Sequence, residues 1–180
     1  MATSASRLLK RLAKELQGLR QEKQRFGIKV KIFDTENLVG KPWRAYLRGP
    51  VDTPYEGCTF ALDIMINMDY PFKPPTVMFV NRCWHPNIGV NGHVCVDILQ
   101  KSWAPSLSIY HVLQSVQSML DDPDPTSPLN AEAANMWIRA TRSGDKTAYA
   151  AVVRANVDQR YVLNEEERRF DDDSPALQES

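Results

Sequence analysis

Trp84-His85-Pro86-Asn87-Ile88-Gly89-Val90-Asn91-Gly92-His93-Val94-Cys95 is the stretch around which the chain is organised, with Val96-Asp97-Ile98-Leu99 and Trp103-Ala104-Pro105 following it. Pro86 fixes its own φ and pushes His85 toward an extended conformation, so His85-Pro86-Asn87 reads as a rigid corner that presents Asn87. Asn91-Gly92 marks a second turn. Cys95, between Val94 and Val96, then ends a short ordered piece reached from that turn, with one side of its thiol toward solvent. The stretch reads as a reaction centre.

On the N-terminal side, strands are predicted over Lys29–Phe33, Trp43–Arg48, Thr59–Ile66 and Thr76–Phe79, each rich in β-branched or aromatic residues with partial alternation. Short connections such as Val39-Gly40-Lys41-Pro42 favour an antiparallel meander over a parallel sheet with crossover helices. A helix from Ser6 to Glu22 precedes them, its Leu8, Leu12, Leu16 and Leu19 forming one apolar stripe. Arg7, Lys10, Arg11 and Lys14 recur at helical spacing beside that stripe and predict a basic solvent face.

On the C-terminal side, Ile109, Val112, Leu113, Val116, Met119 and Leu120 mark the most apolar helix, with Ser108 as N-cap and Asp122-Pro123 as stop. Asn130 caps a helix running to Ala140 with Ala134, Trp137 and Ile138 inward, and after Gly144 a last helix carries Tyr149, Val152, Val153 and Val157. The fold class is α+β: N-terminal helix, four-stranded antiparallel meander, active-site loop, core helix and two C-terminal helices. Residues 6–161 form the expected domain. Residues 162–180, with Glu165-Glu166-Glu167 and Asp171-Asp172-Asp173, read as a partly disordered acidic extension.

At 180 residues, with 43% hydrophobic and 24% charged side chains, the composition is that of one globular domain. Formal net charge is zero, which argues against nucleic acid as the main partner, because a phosphate backbone is gripped through an excess of Lys and Arg. No apolar run approaches the ~20 residues that span a bilayer, and no secretory signal is legible, so membrane insertion is not expected and the expected location is cytoplasmic and/or nuclear. Three cysteines, an odd number without a close pair, fit a reducing compartment and predict neither a disulfide framework nor a metal site.

The chain resembles the ubiquitin-conjugating enzymes. The resemblance rests on His85-Pro86-Asn87, Cys95, Val96-Asp97-Ile98-Leu99 and Trp103-Ala104-Pro105 in that order, and extends to Thr53-Pro54-Tyr55-Glu56-Gly57, Tyr70-Pro71-Phe72-Lys73-Pro74-Pro75 and Asp122-Pro123 through Ser127-Pro128-Leu129. It implies that Cys95 accepts ubiquitin as a thioester from the activating enzyme and yields it to a lysine of a protein substrate, with help from a RING or HECT ligase. Thiol chemistry suits such a relay, because a thiolate both attacks and leaves a thioester readily. No cofactor is implied, since ATP is used by the activating enzyme, and a monomer is expected.

The resemblance also assigns roles. Asn87 joins Cys95 as a catalytic residue, either bonding the oxyanion or holding the loop in shape, while His85, Pro86 and Asp97 are structural. Ser127 is the third expected catalytic residue: it stands where many members carry an acidic residue beside the cysteine, its hydroxyl can hydrogen-bond the incoming amine, and a phosphate there would supply a similar anion. The basic face of Arg7, Lys10, Arg11 and Lys14 is expected to meet the activating enzyme and ligases, and Phe72, Pro105 and Ser106 the ligase. Gly89, where the SUMO-conjugating branch carries Tyr, and the absence of an insertion between Leu99 and Trp103 favour ubiquitin over another ubiquitin-like modifier. Cys58 and Cys83 are expected buried and inert. A Cys/His hydrolase is disfavoured: His85 sits in a Pro-fixed turn, and His93 and His111 have no acidic orienter. A catalytically dead variant of the same fold is disfavoured by the retained Cys95.

Overall fold

The computed structural model describes residues 4–26, 29–32, 38–95, 99 and 103–157. Helix α1, Ser4–Phe26, opens it and buries Leu8, Leu12 and Leu19. It runs past the expected Glu22 because Lys23, Gln24 and Arg25 are good helix formers and the next breaker is Gly27. Strands β1 (Lys29–Ile32), β2 (Trp43–Arg48), β3 (Thr59–Met65) and β4 (Thr76–Phe79) form one antiparallel sheet in sequential order. Phe33, expected to extend β1, lies outside the described residues.

Register makes one sheet face apolar. Trp43 pairs with Ile64, Ala45 with Leu62 and Leu47 with Phe60, while Leu62 and Ile64 pair with Phe79 and Val77 of β4. All are buried against the helices. On the opposite face Arg44 meets its cross-strand partner Asp63, Nε to Oδ1 at 2.7 Å. The β2–β3 connection folds back on itself where Gly49 donates to the Cys58 carbonyl at 3.0 Å. A Cβ on Gly49 would lie 1.8 Å from the Tyr55 carbonyl oxygen, so only glycine fits there.

Helix α2, Ile109–Asp121, buries all six of the apolar residues that mark it in sequence. Ser108 caps it through a capping box with His111. Asn130 caps α3, Ala131–Ser143, by accepting from the Ala133 amide at 3.1 Å, and Gly144 at φ 72° closes it. Within α3, Ala134 is buried, while Trp137 and Ile138 are only half-buried. Helix α4, Thr147–Asn156, turns Tyr149 and Val153 inward. The expected acidic extension lies outside the described residues. No described helix is long and apolar enough to cross a membrane.

Glu15 joins the parts. Its buried carboxylate accepts from the Ile109 amide at 2.9 Å, from the Tyr70 hydroxyl at 2.7 Å and from Arg11 Nε at 2.6 Å. The charge therefore lies at the N-terminus of α2, where the helix dipole favours an anion. Removing it would leave a buried amide and a buried hydroxyl without acceptors. Glu15→Ala should cost about 2–3 kcal/mol in urea unfolding. A loss below about 0.5 kcal/mol, the size of an ordinary surface change, would contradict this role.

Candidate active site

The His85-Pro86-Asn87 corner is buried, and each of its residues is tied down. His85 Nδ1 accepts from the Asn87 amide at 3.0 Å and Nε2 faces the Met119 carbonyl at 2.9 Å. An amide can only donate and a carbonyl only accept, so the ring is the neutral Nε2–H tautomer. Burial pushes its pKa down to about 4, against a smaller upward pull from the Met119 carbonyl. The Pro86 carbonyl accepts from the Leu129 and Asn130 amides at 2.8 and 3.0 Å, joining the corner to the start of α3.

Asn87 is the centre of this corner. Its Oδ1 accepts from the Asp124 amide at 2.9 Å and its Nδ2 donates to the Asp124 carbonyl at 2.6 Å, with a longer contact to the Ser127 carbonyl at 3.4 Å. Its own carbonyl accepts from the Cys95 amide at 3.0 Å. Both ends of the carboxamide are thus committed to the backbone of the 124–127 turn. Of the two roles implied for Asn87, this geometry supports holding the loop.

The thiol loop is stitched to β4. Gly92 accepts from Phe79 at 2.8 Å, and at φ 82° a Cβ there would lie 2.2 Å from the Phe79 carbonyl, so the Asn91-Gly92 turn needs its glycine. Further back, the Tyr55 hydroxyl donates to the Trp84 carbonyl at 2.9 Å and shares a 3.1 Å hydrogen bond with Tyr149. Burial raises the Tyr55 phenol well above its usual range and pushes that of Tyr149 up to about 12, so both remain hydrogen-bond donors. Helix α4 thereby braces the residue that precedes His85.

Cys95 is half-buried and lines an open cavity of about 550 Å³ together with Asn87, Ser127 and the polar side of α2. Cys58 and Cys83 are buried, and burial raises both thiols, Cys83 the more. The cavity therefore gathers Cys95, Asn87 and Ser127. It also gathers His111, Asp122 and Asp124, to which the sequence reading gave no part in the site. Asp122-Pro123 reads in sequence only as a helix stop, and His111 as a histidine without an orienter. Its Nδ1 instead lies 2.6 Å from the Ser108 hydroxyl and accepts from the Ser108 amide at 3.2 Å in the cap of α2. Asp97 lies outside the described residues.

The surfaces expected to dock partners lie elsewhere on the domain. Phe72 is 79% exposed, and Pro105 and Ser106 are exposed beside it in the fold, because Trp103 Nε1 donates to the Pro71 carbonyl at 2.7 Å and ties the two loops together. Arg7, Lys10 and Lys14 are exposed on α1. Arg11 corrects the expected basic face. It turns inward, pairing with Glu15 at 2.6 Å and donating to the Leu107 carbonyl at 2.6 Å, because the buried carboxylate is within its reach at i+4.

These features define an α+β domain that presents one accessible cysteine on a braced loop. The model of the family described as "Ubiquitin-conjugating enzyme" matches residues 11–152, and the chain belongs to that family of transferases. Ubiquitin-conjugating enzyme E2 3 of Arabidopsis thaliana is 48% identical over 120 residues, covering 67% of this chain and 77% of the relative. Ubiquitin-conjugating enzyme E2 2 of Mycosarcoma maydis is 48% identical over 95 residues, 53% of this chain and 51% of that protein, so the match spans about half the length of that relative. The solved E2 domain of a Toxoplasma gondii ubiquitin conjugating enzyme superposes with a TM-score of 0.66 at 39% identity, covering 80% of this chain and 94% of that one.

The buried ring of His85 makes stability depend on pH. Folded, it stays neutral down to about pH 4, whereas unfolded it takes up a proton near 6.5. Between those values the unfolded chain binds more protons, so acidification favours unfolding. His85 should remove about 3 kcal/mol of stability as pH falls from 6.5 toward 4 and nothing further above 6.5. Ring titration of the folded protein by NMR checks this directly. A His85 midpoint near 6.5 would contradict it.

Proposed function

We propose that Cys95 carries ubiquitin as a thioester and passes it to a lysine of a protein substrate. The observation that supports this most is the contrast among thiols, with Cys95 at a cavity wall while Cys58 and Cys83 are buried. In the first step the Cys95 thiolate attacks the thioester carbonyl brought by the activating enzyme. A carbon–sulfur bond to Sγ forms, and the carrier's sulfur leaves as thiolate. In the second, a lysine ε-ammonium gives up a proton to solvent and the amine attacks the same carbonyl. The carbon–nitrogen bond forms, the carbon–sulfur bond breaks, Sγ leaves as thiolate, and a second nitrogen proton passes to solvent.

Sulfur is suited to both steps because the thiolate is a good nucleophile and a good leaving group, so no tightly coupled base is needed. That accords with His85, whose two ring nitrogens are occupied by backbone. In this reading Asn87 keeps the turn over the thioester in place, and Ser127 offers a hydroxyl on the same wall. Partners are ubiquitin, the activating enzyme, a RING or HECT ligase and the substrate. Nothing in the proposed chemistry calls for a cofactor on this chain.

Incubation with activating enzyme, ATP and ubiquitin should give one adduct that thiols reduce, and Cys95→Ser should give a thiol-resistant ester instead. A reducible adduct on Cys95→Ala would overturn the assignment. Docking is tested separately on Arg7, Lys10 and Lys14, since Arg11 holds the fold. Replacing Arg7 and Lys14 by Glu should slow charging, less so at high salt. Phe72→Ala should spare charging and weaken ligase-stimulated transfer by about tenfold or more, the size of a hot-spot truncation. Indifference of both steps would return these residues to ordinary surface.

A further inference from the structure

Ser127 has no charge to offer an incoming lysine, yet the cavity it shares with Cys95 is not neutral. Among its lining residues the carboxylates are Asp122 and Asp124, and no Lys or Arg is present. Asp124 is the better placed of the two. Its amide and carbonyl are the groups held by the Asn87 carboxamide, at 2.9 and 2.6 Å. Asn87, 2% exposed, is in turn bonded through its carbonyl to the Cys95 amide at 3.0 Å. One buried residue thus ties the backbones of Cys95 and Asp124 to each other.

The side chain of Asp124 is held as well. Oδ1 accepts from the Thr126 amide at 2.9 Å and from its hydroxyl at 2.6 Å, which leaves Oδ2 without a partner among the described residues. Those two bonds also lower its pKa, keeping the exposed carboxyl ionised. We infer that Asp124 receives the ammonium of the acceptor lysine and orients it toward the Cys95 thioester, taking the part that a carboxylate at position 127 would play.

This rests on the thioester reading above and names the residue that binds the acceptor. An anion here has two opposed effects. It draws in and orients the cationic side chain, and it also favours the protonated form, which cannot attack. Orientation of a reacting pair is worth several kcal/mol in a well-aligned site, whereas an exposed charge pair contributes about 0–1 kcal/mol, so orientation prevails. The amine then loses its proton to water, because Asp124 and the cavity mouth are open to solvent.

The test is single-turnover discharge of the charged protein to free lysine and, in parallel, to hydroxylamine, which is uncharged at neutral pH. Asp124→Asn keeps both turn bonds to Thr126, because the amide oxygen accepts as the carboxylate did. This variant should charge like the wild type. Its half-saturating lysine concentration should rise about threefold to fivefold at low salt, the size of an exposed charge pair, and its saturating rate should fall about tenfold or more because the bound amine is no longer aimed, while its discharge to hydroxylamine stays unchanged. High salt should narrow the difference in half-saturation. A lysine titration that superimposes on the wild type at low salt would overturn the inference. So would an equal loss with lysine and hydroxylamine, which would mean a displaced loop. A wild type that accepts no ubiquitin would overturn the thioester reading itself.

Discussion

The carboxamide of Asn87 is the constraint on which the site depends. The thiol loop and the 122–128 turn lie on either side of α2 in the chain and must be held at a fixed distance. Asn87 sets it, with its own carbonyl on the Cys95 amide and both ends of its side chain on Asp124. A buried amide left half-paired costs about 1–3 kcal/mol, so the two segments move together or not at all. His85 and Pro86 hold Asn87 itself, through Met119 of α2 and through the Leu129 and Asn130 amides before α3.

This arrangement separates the work of folding from the work of chemistry. His85, Asn87, Tyr55, Tyr149 and Glu15 have their polar atoms paired inside the protein. Cys95, Ser127 and Asp124 face a cavity with room for a peptide tail and an amine. Phe72 and the exposed cations of α1 lie on loops and helix faces braced by Trp103 and by the Arg11–Glu15 pair.

Much of the fold was legible because hydrophobic periodicity survives in the sequence. The six apolar positions of α2, the Ser108 and Asn130 caps and the Gly144 stop follow local rules, and the strands follow β-branched runs with turn residues between them. What was not legible depends on distance in the chain. Arg11 reads as one more cation on a helix face, and only the fold brings the Leu107 carbonyl to it, 96 positions away. Ile138 reads as inward on α3 but is only half-buried, whereas Trp137, also half-buried, does pack against the core and the Tyr149 ring. Asp124 reads as part of a Pro-rich stop. Its place beside the thiol comes from a hydrogen bond spanning 37 positions, which no local pattern records.

The claim that Asn87 clamps the turn can be measured at the amide it is said to hold. Hydrogen exchange, resolved by residue, compares the folded wild type with Asn87→Ala. The Asp124 amide, donated to Asn87 Oδ1 at 2.9 Å, should exchange about tenfold faster or more in the variant. The Phe79 amide, donated to Gly92 at 2.8 Å, should keep its protection, because β4 does not depend on the clamp. Equal protection of Asp124 in the two proteins would mean that the 122–128 turn stands without Asn87, and the account of the site would be contradicted.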